Sequence, residues 1–267
     1  STVGEHTLHP HLVLLNEQRR MHPDISSFTN KYVYRSLVHD HESVKSNRQM
    51  IIERKPFANR ASILLDTSFT GHYCINEKSS KSRWNPWQLL ISFQVMHEAY
   101  IGGARSIGYV TPYRVQAEMM NSLLDDFYPE EKIAGNMMAA TVHKFQGSER
   151  EVIVFDSVDG WPQERPGMLL VGKDSERLIN VAITRTKGKF VHINNREFVY
   201  RNIGMKRTIR QLVQHQANQQ QIVSHQQIGT WVQNQQQRLK WVHALKEEEV
   251  FAEIDQACKS IIISLPT

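Results

Sequence analysis

Short apolar runs of strand length alternate with longer amphipathic stretches from residue 12 to residue 195. LVLL (12–15), ILLD (63–66), IGYVT (107–111), MMAATV (137–142), VIVFD (152–156) and FVHI (190–193) are mostly aliphatic and β-branched, as strands buried on both faces must be. Apolar residues at helical spacing fill residues 23–34, 86–101, 112–127 and 175–184 between them. The alternation predicts an α/β fold with a mostly parallel sheet, because parallel neighbours require crossovers and the crossover helices cover both faces.

Polar segments interrupt the pattern at strand ends, where ligand contacts concentrate. In ERLINVAITRTK (176–187), apolar residues at Leu178, Ile179, Val181, Ala182 and Ile183 bury one helix face and leave Arg185 at the helix end. Its planar guanidinium can hold phosphate through two parallel hydrogen bonds, although a lone helix-terminal arginine also simply complements the helix dipole. TVHKFQGSEREVIVFD (141–156) sets Thr141, His143, Lys144, Gln146, Ser148 and Glu149 between two apolar strands. In LVLLNEQRRMHPDISSFTNKYVY (12–34), a strand runs into Arg19 and Arg20, and Pro23 stands at a helix start.

These segments carry a resemblance. EQRRMHPDISSF (17–28) is similar to the QYRMHP segment of superfamily 1 helicases, TPYRVQ (111–116) to TPYxxQ, TVHKFQGSE (141–149) to TVxxFQGxE, and LINVAITRTK (178–187) to LNVAxTRAK. The order and spacing of four motifs make the match specific. The segments resemble most those of the branch containing the RNA helicase of nonsense-mediated decay.

The resemblance implies the second of two RecA-like motor domains, with ATP and Mg2+ bound between the domains and the magnesium ligands supplied by the first. It implies that Arg20 and Arg185 reach the terminal phosphate as catalytic arginine fingers. Gln18, Arg19, Gly147 and Glu149 match nucleotide-binding positions, Glu149 through a hydrogen bond to the ribose or a role near the nucleotide. At Arg19 close relatives often carry a tyrosine that stacks on adenine, a contact a guanidinium can also make. Thr111, Tyr113, Thr141, His143 and Lys144 match positions that touch single-stranded RNA or DNA, through phosphates that carry no sequence information. Read without the resemblance, Tyr113 serves equally as a core aromatic, His143 as an ordinary polar loop residue and Gly147 as a plain turn glycine.

GMLLVGKD (167–174) approaches the phosphate-binding pattern GxxxxGK[ST] and fails it. Asp174 replaces the magnesium-binding hydroxyl and would repel phosphate, and a Pro-rich stretch rather than a buried strand precedes it. With no acidic magnesium motif either, the chain reads as half of a composite ATPase, inactive alone. The rival reading is a helicase-like scaffold that binds nucleic acid or protein without turnover, within an antiviral defence protein among other settings.

Lys plus Arg number 32 against 27 Asp plus Glu, a formal charge of +5 and a sequence pI of 9.2, which agrees with a polyanionic partner. No apolar run approaches membrane-spanning length and no signal segment is evident, so an intracellular, cytoplasmic or nuclear protein is expected. Cys74 and Cys258 alone make no disulfide framework. His6, His9, His11, His39 and His41 lack cysteine partners and zinc-module spacing.

Residues 1–204 are expected to form the RecA-like domain. Residues 39–59 and 74–85 read as charged, irregular loops. Residues 205–253 read as a Gln-rich helical extension, with twelve glutamines between Arg210 and Arg238 and apolar residues at helical spacing. Residues 254–267 faintly resemble the opening of phospholipase D-like domains without their HxKxxxxD residues, and would begin a C-terminal effector domain.

Overall fold

Strands that are mostly apolar and buried along their length are satisfied between two helical layers, and the chain builds that arrangement. The computed structural model describes residues 16–145 and 147–232. It opens with β1 (Glu17–Gln18), α1 (Pro23–Tyr32), β2 (His39–Asp40) and α2 (Ser43–Ile52). Next come β3 (Ser62–Asp66), a hairpin of β4 (Ile75–Asn76) and β5 (Arg83–Trp84), and α3 (Pro86–Ile101). The central part is β6 (Ile107–Thr111), α4 (Arg114–Phe127), α5 (Pro129–Ile133), β7 (Met137–Thr141) and β8 (Arg150–Asp156). The remainder is α6 (Met168–Val171), α7 (Ser175–Thr184), β9 (Thr186–Asn194), α8 (Arg196–Asn202), α9 (Thr208–Asn218), β10 (Ile222–Val223) and α10 (His225–Val232).

Six strands form one sheet in the order β10-β3-β9-β8-β6-β7, and every neighbouring pair is parallel. Side chains alternate between its faces with period two. Ile63, Leu65, Tyr109, Val152 and Val154 join a core with Phe93 and Met96 of α3, Met120 and Leu124 of α4 and Ile228 of α10. Leu64, Val110, Ile153, Phe155 and Phe190 join a second core with Phe28 of α1, Ile179 and Ile183 of α7 and Leu212 of α9. The sheet is thus covered on both faces, consistent with a RecA-like fold.

Helix starts follow local chemistry. Pro23 and Pro86 occupy first turns, where the missing amide is harmless, and Asn85 Oδ1 accepts from Gln88 N–H at 3.1 Å to cap α3. Asn195 caps α8 in the same way, accepting from Phe198 N–H at 3.0 Å.

Three expectations are corrected or refined. Residues 39–59 are not irregular: β2 pairs with β1, and α2 buries Val44, Ile51 and Ile52, a sparse apolar set that composition concealed. Residues 74–85 contain the β4–β5 hairpin. The Gln-rich stretch is helical in α9 and α10, but β10 interrupts it and extends the sheet beside β3. Trp231 of α10 then docks on α3, its indole N–H donating to both Glu98 oxygens at 2.9 and 3.0 Å. The strand expected at 12–15, the extension from residue 233 onward and the segment 254–267 lie outside the described residues. Among the described residues no helix is long and apolar enough to cross a membrane.

Candidate functional site

Because the sheet is parallel, its two ends collect different residues, and the expected site residues divide between them. Where β8 and β9 begin, Arg150 pairs with Thr186, which brings Glu149 alongside Arg185. Arg150 N–H donates to the Arg185 carbonyl at 2.9 Å. The segment after β1 crosses this end: His22 N–H donates to Lys187 O at 2.9 Å, and Arg20 Nη1 donates to Thr184 O at 2.9 Å. Arg20 also forms an ion pair with Glu149, whose other oxygen lies 3.8 Å from Lys187 Nζ. Arg20, Glu149 and Arg185, distant in sequence, are therefore neighbours.

Gln18 builds the turn that holds Arg20. Its side-chain oxygen accepts from the amides of Arg20 (3.0 Å) and Met21 (2.9 Å), while its amide donates to Met21 O (2.9 Å) and Asp40 Oδ1 (2.5 Å). Arg48 adds a donor to Arg20 O at 2.9 Å. Arg19 points outward, with 68% of its side chain exposed and, among the described residues, only Glu17 as a side-chain partner, at 3.3 Å. The Nε atoms of Arg20 and Arg185 are buried and make no hydrogen bond among the described residues. Arginine side chains gathered at one end of the sheet suit a polyphosphate, whose oxygens a guanidinium can bind in pairs.

The connection from β7 to β8 crosses the sheet without a helix. It begins at Thr141, where β7 ends, and reaches Glu149, just before β8 begins, about 16 Å of strand length away. Phe145, fully buried, anchors the crossing over β6. A Cβ at Gly108 of β6 would lie 2.4 Å from Phe145 Cζ and 2.8 Å from Ile153 Cδ1, so only glycine leaves room for the ring. Gly147 turns the chain at φ +84°, where a side chain would be strained although the space around it is open.

At the end where strands finish, Thr141 is half-buried and His143 and Lys144 are exposed. Thr111 is fully buried, its hydroxyl accepting from Tyr113 N–H at 3.4 Å. Tyr113 is buried too, and its hydroxyl donates to Asp159 Oδ1 at 2.7 Å. The ring packs with Cys74 and Val158 in a small core cluster.

Asp159 was not visible as a functional position in the sequence. It is fully buried, paired with Arg83 at 3.0 Å, and accepts the Gly167 amide at 2.6 Å. Burial raises its pKa, and Arg83 opposes that shift. The Gly167 amide at the head of GMLLVGKD is thereby spent on a protein carboxylate, and a Cβ there would meet the Tyr113 hydroxyl at 2.0 Å. Next to it, Asp156 accepts from Tyr109 (2.6 Å) and Gln116 (2.7 Å), yet burial lifts its pKa to about 6. Asp156 closes the β8 run, and the short polar stretch after it carried no periodicity that could have marked Asp159.

Comparison with known proteins agrees with this geometry. A family model described as an AAA domain matches residues 4–197. A probable helicase of Dictyostelium discoideum is 26% identical over 96% of this chain and 24% of its own length. Helicase sen1 of Schizosaccharomyces pombe is 27% identical over 70% of the chain and 11% of its length. The DNA polymerase alpha-associated DNA helicase A of the same yeast is 30% identical over 65% of the chain and 26% of its length. The chain thus spans about a quarter or less of these relatives. It belongs to the AAA domain family that forms the C-terminal RecA-like part of superfamily 1 helicases in the branch of the nonsense-mediated-decay RNA helicase.

Proposed function

We propose that this chain supplies the second half of an ATP-driven nucleic-acid motor, completing an ATPase whose phosphate-binding loop and magnesium ligands belong to a first RecA-like domain. The observation that carries the reading is the junction of Arg20, Glu149 and the Thr184–Arg185 backbone at one end of the sheet. ATP with Mg2+, bound between the domains, supplies the hydrolysable phosphoanhydride. Arg20 and Arg185 face its terminal phosphate and stabilise the charge that spreads over the phosphoryl oxygens in the transition state. Glu149 holds Arg20 in place until phosphate competes for it, and lies with Gly147 toward the ribose. Gln18 fixes the turn, and exposed Arg19 stacks on the base.

A single strand of RNA or DNA crosses the opposite end, against Thr141, His143 and Lys144. Buried Thr111 and Tyr113 shape that surface from below, their side chains already engaged. Closure on ATP and opening after hydrolysis move the two domains along the strand. The test joins the chain to its first domain and replaces Arg185 by alanine. ATP hydrolysis should fall on the order of a thousandfold, with a much smaller change in nucleotide affinity. Unchanged turnover would instead favour a scaffold that binds without hydrolysis.

A further inference from the structure

Five cations, Arg196, Arg201, Lys206, Arg207 and Arg210, fall within residues 196–210 against the one carboxylate of Glu197. That segment therefore carries four of the five net positive charges of the whole chain. Topology fixes where it lies. β9 finishes at Asn194 and α8 starts at Arg196, so the segment begins at the end where strands finish. α9 must run back along the sheet, because the strand it feeds, β10, is parallel to β3. The turn between α8 and α9 thus stays at the end that bears His143 and Lys144. Two contacts tie α8 to the close of β3: Glu197 N–H donates to Ser68 Oγ at 2.8 Å, and Arg196 Nε to Asp66 Oδ2 at 3.0 Å.

Carboxylates neutralise only part of the cluster. Arg196 pairs with Asp66, and Arg201 with Glu197 at 2.8 Å. Lys206, Arg207 and Arg210 make no ion pair among the described residues, and residues 204–207 are all exposed. Arg210 is held in place, its guanidinium 3.7 Å from the Tyr200 ring centroid and its Nη1 3.4 Å from Val199 O. Beside Ser68, Phe69 is 70% exposed and adopts φ +62°, an unfavourable backbone for an aromatic residue that nonetheless presents its ring to solvent. Four strand spacings, about 19 Å, separate β3 from β7.

We propose that the α8–α9 turn is a second phosphate-binding surface. Lys206, Arg207 and Arg210 hold the backbone of a single nucleic-acid strand that continues from Lys144 across the sheet end, and Phe69 offers a face to an unpaired base. Unpaired cations supply sequence-independent affinity, and an exposed aromatic ring accepts any base, which favours a single strand over a duplex. The inference rests on the nucleic-acid reading of this sheet end and adds to it residues that none of the four motifs contains.

The test titrates the full chain with labelled oligouridylate and oligothymidylate over a range of salt concentrations. The double variant Lys206→Glu/Arg207→Glu, its milder form Lys206→Gln/Arg207→Gln, Phe69→Ala and His143→Ala/Lys144→Ala are compared. Both Lys206 and Arg207 are exposed, so an unchanged thermal midpoint and circular dichroism spectrum confirm folding. Charge reversal should weaken binding roughly tenfold or more and reduce the slope of log K against log salt by about 0.7 per lost contact. Phe69→Ala should weaken binding roughly fivefold with no change in slope. Wild-type affinity and slope in both charge variants, while the His143/Lys144 variant binds weakly, would overturn the inference and leave the proposed function standing. Failure of the wild-type chain to bind either oligonucleotide at low salt would overturn both.

Discussion

The Arg20 guanidinium donates from Nη1 to the carbonyl oxygen of Thr184 at 2.9 Å, across 164 positions of sequence. That bond sets Arg20 beside the Arg185 backbone, so under the proposed ATPase role little reorganisation would be needed when phosphate binds. Arg20 and Glu149 are 38% and 33% exposed, and an ion pair so hydrated contributes about 1 kcal/mol or less to stability. Arg20→Ala should therefore leave urea denaturation nearly unchanged while lowering ATP turnover of the joined motor on the order of a thousandfold. Comparable losses of stability and activity would show that Arg20 acts by holding the fold.

Gly108 gives way to the Phe145 ring that anchors the β7–β8 crossing. Gly108→Ala forces that ring or Ile153 aside, and destabilisation of about 1–3 kcal/mol is expected, with displaced Phe145 resonances in NMR spectra. Gly147→Ala meets open space, so only its positive φ opposes the change, at about 1 kcal/mol. Equal effects would contradict the packing explanation.

The Asp159 cluster makes a graded prediction. Arg83→Met leaves a fully buried carboxylate without its cation, an effect of about 3–5 kcal/mol. Tyr113→Phe removes one of several donors to the same group, about 1–2 kcal/mol. Chemical denaturation of the two variants should preserve that order.

Lys189 is fully buried, and its ammonium donates to the carbonyl oxygens of Arg54 (2.6 Å), Pro56 (2.7 Å), Ile52 (3.3 Å) and Phe57 (3.3 Å). Burial, aided by the nearby charge of Arg60, pulls its pKa from the ordinary 10.5 down to about 7. Across the window from pH 7 to 10, the unfolded chain binds the proton more tightly than the folded one. Stability should accordingly rise with pH there, by at most about 1.4 kcal/mol per pH unit. Lys189→Met should abolish the rise and, by stranding four acceptors, destabilise the fold by about 3 kcal/mol. A pH profile identical in both proteins would refute the assignment.

How much could be read in advance followed from how local each feature is. The main strands and α3 and α7 were legible because buried strands need apolar runs and helices need spaced apolar faces; α7 occupies Ser175–Thr184, the expected range. The neighbourhood of Arg20, Glu149 and Arg185 was accessible only through resemblance, since each residue alone fits a bland surface role. Asp159, Arg83 and Lys189 were invisible, because a buried charge is defined by partners that lie far away in sequence. α2 escaped notice because three buried residues, Val44, Ile51 and Ile52, anchor an otherwise polar helix.

β10 is only Ile222–Val223, yet it covers the free side of β3, whose residues Ser62–Asp66 are all buried. A polypeptide stopped at residue 204 would bare that backbone as an unprotected edge and uncover Leu212's side of the core. Such a fragment should self-associate through strand-to-strand pairing, because the edge that Ile222–Val223 occupies would be free.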